Sequence, residues 1–325
     1  MPTVVGKQVG PIGYGLMSLG LGLGTAPDSN SDESSLAAIK TAVECGCTFL
    51  NGAEFYGRGP DDNSLALLRR YFARYPQDAD RVVVNIKGGR HSNMVRFDGS
   101  KAAVTASIEH SLQQLGPAGR IAQWALARKD PSHDYQDETL AAIDAFVRSG
   151  RIDGISTSEI NRETLRSPQL SLFHTDPLTN GLLAACAELD IPVVAYSPLA
   201  RGLLGGRIKS IDDLAPDDPK RRLPQFQDGN LQANLKLVEK VAALAREKGC
   251  TPAQVSLNWL LSLSKRPGMP VIIPIPGSSD PERIKENATI THLTDDDLAE
   301  IDAMLRGFVV AGERYPAAYM GQLQL

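Results

Sequence analysis

The sequence predicts an α/β fold, a (β/α)8 TIM barrel made by residues 1–325 as one domain, on three observations. Short apolar runs alternate with amphipathic stretches from one end to the other, and no break in composition divides them. Seven strand candidates stand out, more than the roughly five or six of an open doubly wound sheet. A closed barrel needs eight, and the shortfall lies in a shortened sixth-strand region between Arg166 and Asp176.

The first strand candidate is 12–16, inside a charge-free stretch over 9–27. That stretch is broken by glycines, so it lacks the continuous apolar run of a membrane span. A helix is expected over 33–46, with Asp32 as its N-cap and Gly46 as its terminator. Strands follow at 47–51, 82–87, 121–126 and 152–156. Between them lie amphipathic helices over 100–115, stopped by Gly116-Pro117, and over 137–150, ending in Arg-Ser-Gly. Residues 170–173 offer a very short sixth strand. Asp176-Pro177 then reads as a capping acid and a proline at the first position of a helix. Strand 191–196 is followed by a loop over 201–229, rich in Asp, Pro and Arg, which a barrel would carry on its C-terminal face. Consecutive helices over 230–248 and 252–263 lead to the last strand, 271–275.

Bulk chemistry narrows the function classes. The net charge is −4, which gives no general attraction for nucleic acid or for an anionic membrane. Cys45, Cys47, Cys186 and Cys250 form no C-x-x-C pair and have no histidine at zinc-finger spacing. They read as free thiols of a reducing, cytoplasmic compartment, with no metal site. The chain shows no leader signature, and nothing in it sets the oligomeric state.

The most informative chemistry sits at two strand ends. One run ends in Asn51-Gly-Ala-Glu-Phe-Tyr56-Gly57, the next in Lys87-Gly-Gly89. Parallel neighbours in a barrel would deliver the phenol of Tyr56 and the ammonium of Lys87 to one rim. An ammonium beside a phenol favours phenolate and suits proton transfer to a carbonyl oxygen. Alone, such a pair is more often structural.

Other motifs carry two readings each. Gly20-x-Gly22-x-Gly24 has the wrong spacing for a dinucleotide fingerprint. There is no Walker A motif, zinc-protease motif or serine nucleophile elbow. After 271–275, a Pro/Gly turn with Ser278 opens a helix at Asp280, where free N–H groups and Arg283 could take a phosphate. It is equally an ordinary helix start. Tyr196 could lie against an aromatic ring or plug the barrel rim. Ser158 and Glu159 could bind a carboxamide or cap a helix. His91, four residues past Lys87, could reach the mouth of the site.

Taken in order along the chain, these motifs resemble the aldo-keto reductase superfamily, and within it the pyridoxal reductase branch. The resemblance rests on 13–17, 49–57, 87–89, 127–131, 193–199 and 273–277, with Arg283 and Glu286-Asn287. It implies a barrel binding NADPH, NADP(H) being the cofactor, at its C-terminal face. A small-molecule aldehyde, pyridoxal reduced to pyridoxine, is the implied substrate. Tyr56 would donate the proton, Lys87 would stabilise the phenolate and Asn51 would orient Lys87. Tyr196 would stack on the nicotinamide, with Ser158 and Glu159 at its carboxamide. Ser197 and Leu199 would line the pyrophosphate, and Gly202 would be a further cofactor contact. Ser278 and Arg283 would take the 2′-phosphate, and Glu286 and Asn287 the adenine.

The chain departs from the wider superfamily in four places. Asn51 stands where most members carry aspartate, and Ala127 where they carry a catalytic histidine, as in the branch. Arg128 or His91 is then left to orient the substrate. Gly277 replaces a basic residue found in many relatives. About ten residues, the end of a helix and most of strand six, are missing before Leu172 at the ~3.3 Å a strand needs per residue. The alternative these departures suggest is a catalytically weak NADP-binding barrel acting as a scaffold or regulatory subunit.

Overall fold

Apolar runs make the strands, and glycines or capped turns end the helices. The computed structural model describes residues 1–20, 32–89, 97–158 and 169–316. A hairpin of β1 (Thr3–Val4) and β2 (Lys7–Gln8) precedes β3 (Tyr14–Gly15). Then α1 (Asp32–Glu44) leads to β4 (Phe49–Ala53), and α2 (Ser64–Arg74) to β5 (Val83–Gly88). Next α3 (Lys101–Leu115) leads to β6 (Gln123–Leu126), and α4 (Ala141–Arg148) to β7 (Gly154–Ile155). Beyond 159–168, α5 (Leu182–Glu188) leads to β8 (Val193–Ala195). Two helices, α6 (Asp228–Glu247) and α7 (Pro252–Leu263), precede β9 (Ile272–Pro274). The helices α8 (Pro281–Ala288) and α9 (Asp295–Arg306) complete the order.

All seven strand candidates are strands. β3, β4, β5, β6 and β7 form one parallel ladder, and β8 pairs in parallel with β9. The two pieces join where Gly13 N–H donates to Pro274 O at 2.9 Å and Gly15 N–H to Pro276 O at 3.2 Å. On the far side of β8 a single parallel bridge, Gln169 to Tyr196, stands in the place of strand six. Among the described residues no backbone hydrogen bond joins β7 to 169–175, and the boundary between these two segments is termed the seam.

The expectation of a short strand over 170–173 is corrected. Ser171 and His174 pair with each other in a tight turn, and Ser171 Oγ accepts from Phe173 N–H at 3.2 Å. Leu170, Leu172 and Phe173 are buried. The segment therefore fills the core with side chains and extends no ladder.

Three helix starts also differ. Asp32 is the first described residue of α1 and lies in its first turn, its carboxylate accepting from Arg70 Nη2 at 2.9 Å. Asp176-Pro177 makes only a 3-10 turn without a side-chain cap, and α5 waits until Leu182 after Gly181 at φ 81°. The helix expected over 137–150 begins as a π turn, Tyr135–Leu140, capped by Asp134, before α4 proper.

Side-chain parity layers the barrel. Leu50, Val84 and Ile86 pack outward under the helices. Phe49, Val83 and Ile273 pack with Val4 and Val9 of the hairpin side, sealing the bottom of the barrel. The next inward positions, Asn51 and Asn85, are buried polar residues, and Lys87 stands above them. The loop over 201–229 is folded into short 3-10 turns, anchored by buried Leu203, Leu204, Leu214 and Phe226.

Candidate active site

β4 and β5 are parallel neighbours, and Ala53 is registered with Lys87. The chain turns directly after β4, with Tyr56 N–H donating to Ala53 O at 3.3 Å. This turn returns Tyr56 over the rim, where Lys87 Nζ lies 5.1 Å from its ring centroid. Gly20 packs under the turn: a Cβ there would stand 2.1 Å from Tyr56 O, so a side chain would displace the phenol's backbone. Phe55 packs edge-on to Tyr56, with ring centroids 5.2 Å apart.

Lys87 Nζ donates to Asn51 Oδ1, as the sequence suggests for that amide. Glu54 is a member of the site that motif reading passed over. Its carboxylate accepts from Gly89 N–H at 2.8 Å and from Ser107 Oγ–H at 2.8 Å. It thereby ties the exit of β4 to the exit of β5. Asn85 and Gln123 were passed over too, although a polar residue inside an apolar strand run was a visible signal.

The remaining candidates lie on the C-terminal ends of β7, β8 and β9. Ser158 is buried just after β7, whereas Glu159 lies outside the described residues, as does His91. Tyr196 directly follows β8, and its hydroxyl accepts from Arg314 Nη2, a partner that nothing in the sequence pattern announces. The turn after it is strained: Ser197, Ala200 and Arg201 hold φ of 48°, 48° and 56°, and Gly202 holds 98°. Leu199 bridges the two large apolar clusters beneath.

Past β9, Tyr14 O–H donates to Ser278 O, and burial holds that phenol far above its ordinary range. Ser278 Oγ accepts from Asp280 N–H at 3.1 Å, which shapes the start of α8. A Cβ at Gly277 would meet Gly15 O at 2.6 Å, so the close backbone approach there leaves no room for a side chain. Arg283 is half-exposed, 3.4 Å from Asp280 Oδ2, a pair of little energetic weight. Glu286 and Asn287 lie further along α8, Asn287 buried. Ala127 is buried behind the rim, and Arg128 Nη1 donates to Ala127 O at 2.9 Å.

One group outside this site has metal-like spacing. Asp98, Asp130 and His133 offer atoms within 4.8 Å of one another. The acids already accept from loop N–H groups, Ser100 to Asp98 at 2.9 Å and Gly99 to Asp130 at 3.0 Å.

The parallel α/β barrel thus carries a phenol and an ammonium together at the C-terminal ends of β4 and β5. The family model described as the Aldo/keto reductase family matches residues 11–306, and the chain belongs to that family. It is an oxidoreductase acting on carbonyl and CH–OH groups. A Schizosaccharomyces pombe protein named "Probable pyridoxal reductase 2" is 33% identical over 334 residues, covering 97% of each chain. An "Aldo-keto reductase" of Gibberella moniliformis is 31% identical over 327 residues, covering 93% of this chain and 92% of its own. The solved structure of a glycerol dehydrogenase from Gluconobacter oxydans superposes with a TM-score of 0.79 at 22% identity, covering 94% of each chain, a likeness of fold.

Proposed function

We propose that this chain is an NADPH-dependent reductase that converts pyridoxal to pyridoxine, working as one domain over 1–325 in the cytoplasm. The observation that carries the reading is the Lys87 ammonium 5.1 Å from the Tyr56 ring on the C-terminal rim. Two further facts support it. Full-length relatives include one named as a pyridoxal reductase. The four cysteines are free, as a reducing compartment would keep them. Among the described residues no helix is long and apolar enough to cross a membrane.

The donor set suits a nicotinamide dinucleotide phosphate. Hydroxyls of Ser158, Ser197 and Ser278, the Tyr196 ring and the Arg283 guanidinium follow one another along the ends of β7, β8 and β9. Tyr196 would offer a face to the nicotinamide, and Ser158 with Glu159 would grip its carboxamide. Ser197 and Leu199 would line the pyrophosphate, with Gly202 a further contact. Ser278 and Arg283 would take the 2′-phosphate, and Glu286 with Asn287 the adenine. When bound, the cofactor supplies the hydride for the carbonyl carbon.

The protein supplies position and a proton. Tyr56 O–H donates its proton to the carbonyl oxygen as that oxygen gains negative charge. The Lys87 ammonium stabilises the phenolate left behind. Glu54 holds the two strand exits in register, so the phenol and the ammonium keep their separation. Loss of NADPH absorbance with pyridoxal tests the reading. The native chain is expected to turn over, and Tyr56→Phe to lose about a hundredfold or more in kcat. NADPH binding without turnover of pyridoxal or other aldehydes would overturn it in favour of a scaffold, which nothing in the relatives favours.

A further inference from the structure

Three side-chain amides stand side by side beneath Lys87. Asn51 on β4 is registered with Asn85 on β5, and Asn85 with Gln123 on β6. Asn51 Nδ2 donates to Asn85 Oδ1 at 2.7 Å. Asn85 Nδ2 donates to Gln123 Oε1 at 3.3 Å, and Gln123 Nε2 donates to Ile155 O at 3.3 Å. At the upper end Lys87 Nζ donates to Asn51 Oδ1.

The direction of this ladder is forced at both ends. An ammonium can only donate, so Asn51 must show Lys87 its oxygen and turn its NH2 toward Asn85. A backbone carbonyl can only accept, so Gln123 must turn its NH2 to Ile155 and its oxygen toward Asn85. Asn85 satisfies both neighbours in one orientation alone. Asn51 and Asn85 are 7% and 2% exposed, so flipping either would strand buried polar atoms, at a cost of about 1–3 kcal/mol each.

We propose that this ladder aims and holds Lys87, with Asn85 and Gln123 as positioning residues acting through Asn51. The proposal rests on the Tyr56–Lys87 reading above. A lysine has a flexible four-carbon stem and no fixed fork, so its ammonium needs an external guide. The ladder offers aligned amide dipoles instead of a carboxylate. It also explains why residue 51 is not independent of its neighbours. An aspartate there has no donor for Asn85 Oδ1. Asn85 and then Gln123 would have to turn over, and Ile155 O would lose its partner.

The test uses the full chain and two variants, Asn85→Leu and Gln123→Met, each checked for cooperative melting. Two readouts are taken. The first is kcat with pyridoxal beside the dissociation constant for NADPH. The second needs no turnover: the pH midpoint of the Tyr56 phenolate absorbance, from the difference between each protein and its Tyr56→Phe counterpart. Asn85→Leu is expected to lower kcat about tenfold, the worth of one buried hydrogen bond, with NADPH affinity within about twofold. Its phenolate midpoint should rise, because the ammonium is less firmly held beside the ring. Gln123→Met, one link further away, should do the same to a smaller extent. A merely structural role would follow melting temperature and leave the midpoint in place. Unmoved midpoints in the folded variants overturn the proposal. If Asn85→Leu does not fold, Gln123→Met alone decides in the same terms. Shifted midpoints in a chain that never turns over pyridoxal uphold the ladder and sink the substrate reading.

Discussion

Lys87 shows how one side chain's value depends on what surrounds it. Its ammonium faces the Tyr56 ring on one side and the Asn51 amide on the other. Lys87→Met keeps the length of the stem and removes the charge. We expect kcat to fall about a hundredfold or more while NADPH affinity changes little, measured by single-turnover kinetics and a binding titration. His174 makes a different prediction at the same scale. Burial first, then Arg314 and Arg201, push its imidazole down to about 3. In the unfolded chain the ring titrates near 6.5, so between those values the unfolded state binds a proton that the folded state refuses. Stability is therefore full above ~6.5 and falls as the pH drops toward 3. Urea unfolding across that range should show the loss, and His174→Asn should flatten it. An equal slope in the variant would remove His174 as the cause.

At the scale of elements, Asp78 is a junction. It is fully buried in the turn after α2. Its carboxylate accepts from Lys40 of α1 at 2.9 Å, from Tyr71 of α2 at 2.7 Å and from Arg81 before β5 at 2.7 Å. Burial opposes the charge, and these three bonds together outweigh it and hold the carboxyl below its usual range. Asp78→Ala leaves the buried Tyr71 hydroxyl without its acceptor and Lys40 with Glu44 alone, 3.6 Å away, and should cost about 3–5 kcal/mol in denaturant unfolding. A loss under ~1 kcal/mol would mean the junction is no stronger than a surface pair. The same scale shows what the sequence could reveal. Short apolar runs named all seven strands, because each parallel strand is covered by helices on one face and turned into the barrel on the other. Tyr56 and Lys87 were legible because each closes such a run. The amide ladder was not, since Asn51, Asn85 and Gln123 are far apart in sequence and meet only through register. Arg314 on Tyr196 was equally hidden, being a contact across 118 positions with no periodic signal. Asp32 and Asp176 were expected to cap, and each instead falls inside the first turn of its element.

For the molecule as a whole, the seam between β7 and Gln169 is where the described residues on its two sides share no ladder hydrogen bond. Gln169 Oε1 and His174 Nδ1 are buried there without a hydrogen-bond partner among the described residues. By contrast β4 is registered with β5 along its whole length, from Phe49 with Val83 to Ala53 with Lys87. Local opening should therefore start at the seam. Amide exchange is expected to be fastest in β7 and 169–175 and slowest in β4 and β5. The proposed cofactor contacts straddle this seam, with Ser158 on the β7 side and Tyr196 and Ser197 on the β8 side. Saturating NADPH, at about a hundred times its dissociation constant, should add about 2.7 kcal/mol to global stability. It should also slow exchange at both lips of the seam by more than it slows β4 and β5. Protection confined to α8, with the seam unchanged, would place only the adenosine end on this barrel. It would then remove Ser158 and Tyr196 from the nicotinamide site.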